Sequence, residues 1–165
     1  MRKLLILLTA FLAIMTNCEK DYGRGLEVYF LTDFKTKTDS KEIISGSERL
    51  SKDPIIYYDD ILCYDTINYC FKVIDAKAEE LAQISWPTQG KAFSLTIDKS
   101  VIYSGYFMPG YSSSGADWFV INPFSFESWI QVNLGYPGEI ERLIEIDPRN
   151  DARIIALLKR DNKLK

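Results

Sequence analysis

Short runs in which apolar and polar residues alternate, each closed by a turn-forming cluster, recur along this chain and limit it to an architecture built mainly of strands. Leu26 to Phe34 sets Leu26, Val28 and Phe30 on one face and Glu27 and Tyr29 on the other. The stretch Ile61 to Val73 reads as two strands around an Asp65 to Asn68 turn, and Ala92 to Ile97 and Val101 to Phe107 flank Asp98-Lys99-Ser100 as a second hairpin. Trp118 to Ile121 and Trp129 to Leu134 follow, bounded by Asn122-Pro123 and by Gly135-Tyr136-Pro137-Gly138.

Two segments break this period. Asp75 to Ile84 predicts a short helix with Asp75 as N-cap, stopped by Trp86-Pro87. Arg149 to Arg160 predicts a C-terminal helix opened by Asp147-Pro148, with Ile154, Ile155, Leu157 and Leu158 on one side. Lys35 to Asp53 is charged and Ser/Thr-rich, and reads as a long mobile loop with one turn of helix at most. The expected fold is α+β: a mostly antiparallel sheet with a short central helix and a C-terminal helix packed on one face.

The 165 residues include no histidine. That removes Ser-His-Asp and Cys-His catalysis and imidazole metal ligation. The formal net charge of −3 becomes more negative once Arg2 and Lys3 are set aside, which argues against a nucleic acid as partner.

Those two basic residues open a leader. Leu4 to Met15 is an uncharged run of twelve, too short for the ~20 apolar residues of a bilayer span but fitting the ~7 to 15 of a secretory signal. Met15-Thr16-Asn17-Cys18 resembles a bacterial lipobox, which implies acylation of Cys18 and export to the cell envelope. The expected organisation is a lipoprotein signal peptide over 1–17, a lipidated cysteine and polar tether over 18–25, and a single globular domain over 26–165. The membrane is then a partner through the lipid anchor, because stable anchoring takes more than one acyl chain at ~0.8 kcal/mol per buried methylene.

Cys63 and Cys70 form an even pair in a chain expected to be exported. If Tyr64 pairs with Tyr69, Cys63 faces Cys70 and a cross-strand disulfide is open to them. A one-residue slip in the hairpin sends the thiols to opposite faces and leaves two half-buried small hydrophobes. Both readings stand on the sequence.

Asp60-Ile61, Tyr69 to Val73, the helix with Ala78 and Leu81, Gly90-Lys91-Ala92-Phe93-Ser94-Leu95-Thr96-Ile97-Asp98 and Val101 to Phe107 together resemble the head of the first periplasmic domain of the SecD/SecDF translocase family. The order is strand, helix, Gly-led strand, turn, and strand ending at a small residue. About fifty residues carry the likeness, which is closer to small bacterial lipoproteins sharing this unit than to the translocase itself. The resemblance implies an envelope-facing α+β module without translocase activity.

Candidate chemistries are few. Tyr111-Ser112-Ser113-Ser114-Gly115 has no lysine at S-x-x-K spacing and no G-x-S-x-G, so the serines read as a polar loop. Carboxylates recur at Asp59-Asp60-Asp65, Glu79-Glu80, Glu139-Glu141-Glu145 and Asp147-Asp151, but neighbours on a strand point to opposite faces. No calcium-loop or phosphate-loop pattern occurs, so neither metal nor cofactor is expected.

Aromatics are the densest signal. Tyr103, Tyr106, Phe107, Tyr111, Trp118, Phe119, Phe124, Phe126, Trp129 and Tyr136 fall within 34 residues, and alternation buries about half, including Phe107, Phe119 and Trp129. The others, with the loop from Met108 to Gly115, have the Tyr, Trp and Ser composition of a protein or glycan contact surface. Candidate binding residues are Tyr106, Tyr111, Ser112, Ser113, Ser114 and Trp118. The leading expectation is a non-catalytic envelope lipoprotein that binds a protein or glycan; the alternative is a carboxylate-based envelope hydrolase, which needs two carboxylates in one pocket.

Overall fold

A computed structural model describes residues 25–124, 127–138 and 147–165. Cys18, with the leader and most of the tether, lies outside the described residues, as do Phe126 and the carboxylates Glu139, Glu141 and Glu145. The domain is α+β, built on one eight-stranded sheet. In chain order come β1 (Leu26–Asp33), β2 (Arg49–Leu50), β3 (Ile61–Asp65), β4 (Cys70–Val73), α1 (Asp75–Gln83), β5 (Lys91–Ile97), β6 (Ser100–Phe107), β7 (Ala116–Ile121), β8 (Trp129–Tyr136) and α2 (Ala152–Arg160). Across the sheet the strands run β2-β1-β5-β6-β7-β8-β4-β3.

Neighbouring strands are antiparallel except β6 and β7, which pair in parallel at Tyr106↔Val120 and Phe107↔Ile121. Their close approach depends on Gly105, where a Cβ would come within 2.4 Å of the Phe119 carbonyl oxygen. The β5–β6 hairpin closes on Asp98 and Lys99, both at positive φ, the pattern of a two-residue turn matched to strand twist.

Both helices lie on one face. Leu81 of α1 and Ile154 and Leu158 of α2 are buried in the same cluster as Leu26 and Val28 of β1, Phe93 and Leu95 of β5, Phe107 of β6 and Phe119 and Ile121 of β7. α1 begins one residue earlier than expected: Ile74 is the N-cap, and the Asp75 carboxylate accepts from Ser128 Oγ at 2.5 Å. At its other end Trp86 Nε1 donates to the Leu81 carbonyl at 2.8 Å, beside the Ile84 N–H that caps the helix on the same oxygen. The C-terminal helical pattern is split into a 3₁₀ turn over Pro148–Asn150 and α2, because Asp151 leaves helical geometry to cap α2 by accepting from Arg153 N–H at 2.8 Å. The last residues run back along β3, with Tyr64 N–H donating to Lys163 and Lys165 N–H to Tyr64, so this sheet edge is paired.

The second face is covered too, against the expectation for Lys35 to Asp53. That segment forms no helix. A bridge at Thr36↔Ile43 and the pairing of β2 on β1 fold it over the sheet, where Phe34, Ile43 and Leu50 pack on Leu31, Ala92, Tyr106, Met108, Ala116 and Val120. Polar residues of the strands beneath are consequently buried in pairs. Tyr29 donates to Glu27 at 2.8 Å, and Ser94 and Ser104, opposite each other on β5 and β6, lie 2.7 Å apart while Ser104 donates to Glu48. Trp129, expected in the core, sits half-buried on this outer face with Lys72 and Lys165 over its ring.

Candidate functional site

Because β6 and β7 run in the same direction, the chain must double back between them, and residues 108–115 do this without a helix. Met108 anchors the start, buried in the second cluster, with its N–H donating to Ile121. Three side chains then pin the loop. Tyr111 Oη donates to the Trp86 carbonyl at 3.0 Å, Ser112 Oγ donates to the Thr88 carbonyl, and Tyr136 Oη reaches the carbonyls of Gly110 at 3.0 Å and Ser112 at 3.2 Å. Ser114 N–H closes a turn onto Ser112 Oγ at 3.1 Å.

This scaffold holds Tyr111 outward. Its side chain is 57% exposed, and its ring lies 5.9 Å from that of Phe124, itself 40% exposed. Ser113 is exposed beside it, while Ser112 and Ser114 are half-buried and engaged within the loop. Phe124 belongs to this surface although sequence reasoning left it among the unassigned aromatics. Its position after Asn122-Pro123, where strand alternation has ended, was the available signal.

Two expected binding residues lie elsewhere. Tyr106 is only 5% exposed and belongs to the second core cluster, edge-on to Phe34 at 6.0 Å with Lys41 Nζ 5.2 Å from its ring centre. Burial, reinforced by the Asp117 charge, pushes its phenol up to about 12. Trp118 is half-buried, packs on Phe119 at 4.8 Å and donates Nε1 to the Ser104 carbonyl at 2.9 Å. Alternation puts Tyr106 on the side opposite the helices, which carries its own cover here, whereas Trp118, at an irregularity of β7, packs against the helix-side cluster.

Beside the loop the covering segment leaves two open clefts that share Ser40 and Lys41. One, of about 560 Å³, lies against Asp39, Gly115, Asp117 and Tyr136; the other, of about 480 Å³, is walled by Leu31, Phe34, Ala92 and Tyr106. Asp117 ties the segment down between them, accepting from Ser40 Oγ at 2.6 Å and Lys41 N–H at 2.7 Å.

The disulfide reading is corrected by the register of β3 and β4. Tyr64 pairs with Phe71, which puts Cys63 opposite Lys72 and Cys70 opposite Asp65, and both thiols are free. A bulge at Leu62 lets Ile61 and Tyr64 both enter the core, which sets this alignment. Cys70 Sγ donates to the Asn68 carbonyl, and burial followed by the Asp65 charge raises its pKa.

Carboxylates with displaced pKa values, Asp65, Asp147, Asp151 and Asp161, are all lowered, each by hydrogen bonds from a neighbour. Among the described residues no group of three Cys, Asp or Glu could hold a metal ion, and no helix is long and apolar enough to cross a membrane. No protein-family model, curated protein or solved structure matches the chain.

Proposed function

We propose that the protein is a non-catalytic binding module of the bacterial cell envelope, anchored to a membrane through acylated Cys18 and presenting Tyr111 and Phe124 to a protein or glycan. The exposed aromatic pair carries this reading. Two large rings side by side at a surface cost burial that folding would otherwise gain, and Tyr111 is held there by a hydrogen bond rather than left free to collapse. Aromatic anchors on a rigid frame lose little conformational freedom when a partner covers them. The leader pattern supports the address.

A photo-crosslinking group at Ser113 in cells tests the surface. Tyr111→Ala, which removes the ring, should abolish the crosslinked species, and Tyr111→Phe, which keeps it, should retain them. Equal crosslinking from wild type and Tyr111→Ala, both folded, overturns the binding surface. Cys18→Ser should release the protein from the membrane fraction, and persistence there overturns the anchor.

A further inference from the structure

The cleft of about 480 Å³ on the second face falls within the ~300 to 1,000 Å³ of sites that take small molecules, and its lining is divided in character. Leu31, Phe34 and Ala92 make an apolar wall. Against them stand two hydrogen-bond donors with capacity to spare. Tyr106 is more than nine-tenths buried, lines the cleft, and its hydroxyl has no hydrogen-bond partner among the described residues. Lys41 Nζ spends one of its three N–H groups on the Gln89 carbonyl at 3.1 Å, makes no ion pair among the described residues, and lies 5.2 Å from the centre of the Tyr106 ring.

The Tyr106 ring is buried, but its hydroxyl is not one of the buried polar atoms and opens onto the cleft, where phenylalanine at 106 would have kept the apolar contacts and supplied no donor. We infer that this cleft is a binding site for a small carboxylic acid, whose carboxylate bridges Lys41 Nζ and Tyr106 Oη while its aliphatic or aromatic body lies on Leu31, Phe34 and Ala92. A carboxylate fits because it is acceptor-only and can take one donor on each oxygen. The phenol stays a donor at neutral pH, since its pKa is raised to about 12. Asp117, whose charge reaches Tyr106, has its carboxylate turned to Ser40 Oγ and the Lys41 backbone N–H. The site is separate from the Tyr111 surface, and stands or falls independently of it.

The test is titration of the full-length protein, labelled on tyrosine and lysine side chains for NMR, with 3-phenylpropionate, hexanoate and the corresponding neutral amides. The acids should shift the Tyr106 and Lys41 signals saturably, and the amides should bind about tenfold more weakly or less well still. Lys41→Met should weaken the acids about tenfold and Lys41→Arg should restore most of the loss. Tyr106→Phe, an isosteric core change that preserves folding, should weaken them about fivefold. Failure of both acids to saturate at millimolar concentration, amides binding as well as acids, or unchanged affinity in Lys41→Met and Tyr106→Phe would each overturn the assignment.

Discussion

The guanidinium carbon of Arg149 lies 3.7 Å from the centre of the Tyr69 ring, joining the C-terminal 3₁₀ turn to the end of the β3–β4 turn. Arg149 is buried, and its N–H groups go to the Asp147 carboxylate and to the Val132 carbonyl of β8 at 3.0 Å, while Tyr64 Oη donates to the Arg149 carbonyl at 2.8 Å. Four segments therefore meet on one residue. Arg149→Met should cost about 3 kcal/mol or more in urea denaturation, because it strands the half-buried Asp147 carboxylate and the Val132 carbonyl.

The same pair gives a pH dependence with a definite sign. Burial pushes the Asp147 pKa up, but the hydrogen bonds and charge of Arg149 outweigh it and the net shift is downward. A carboxylate with a depressed folded-state pKa adds stability that is fully present above its unfolded value near ~4 and is lost as pH falls through the folded value. Asp147→Asn should lower stability at neutral pH and flatten the loss between about pH 5 and pH 2. Asp65, Asp151 and Asp161 are lowered as well, so part of the acid slope should persist. An unaltered slope in the variant would show that Asp147 does not contribute to it.

Free thiols at 63 and 70 make a simple labelling prediction. Alkylation of the unreduced, unfolded protein followed by peptide mapping should find both positions fully modified. In the native state Cys70 should react slowly, with a rate that still climbs at pH values above the ordinary thiol range, since burial and Asp65 hold its pKa up. A peptide linking 63 to 70 would mean that the hairpin register is not the one set by the Leu62 bulge.

Gly105 bears on the parallel pairing of β6 with β7. A methyl group there meets the Phe119 carbonyl oxygen at 2.4 Å and its Cβ at 2.9 Å, both atoms fixed by β7. Gly105→Ala should therefore destabilise by about 3 kcal/mol, at the upper end of overpacking costs, and should disturb β7 amide resonances before those of β1.

How much of this was legible varies with the range of the forces involved. Strand and helix segments were, because alternation along β1, β5 and β6 and the apolar side of α2 are local patterns. The order of strands was not: nothing local indicates that β7 should lie parallel to β6 rather than form a hairpin with it. The second layer was hidden for a related reason. Ile43, next to the exposed Ile44, and Leu50 are sparse apolar residues in a polar stretch, and only their joint arrival over Tyr106 and Leu31 makes them core. That omission placed Tyr106 at a surface, whereas Tyr111, in a loop with no period to bury it, is exposed as expected. The thiol pairing turned on a single bulged residue, Leu62, which composition does not mark.

The Asp117 carboxylate ties the covering segment down across a separation of 77 residues, and its removal should be visible locally. Asp117 accepts from Ser40 Oγ and Lys41 N–H, and Ser40 Oγ in turn accepts from Glu42 N–H at 3.0 Å, so the turn at 39–42 is built around that contact. Asp117→Ala should expose the amides that depend on this turn, Lys37 N–H bonded to Glu42 and Ile44 N–H bonded to Lys35. Their hydrogen-exchange protection should fall by about 1 to 3 kcal/mol, the range for losing hydrogen bonds to a charged group, while β5 and β6 amides keep theirs. Asp117→Asn, which keeps one acceptor oxygen, should lose less. If protection at 37 and 44 survives Asp117→Ala, then Phe34, Ile43 and Leu50 hold the layer by packing alone, and the contact at Ser40 only decorates it.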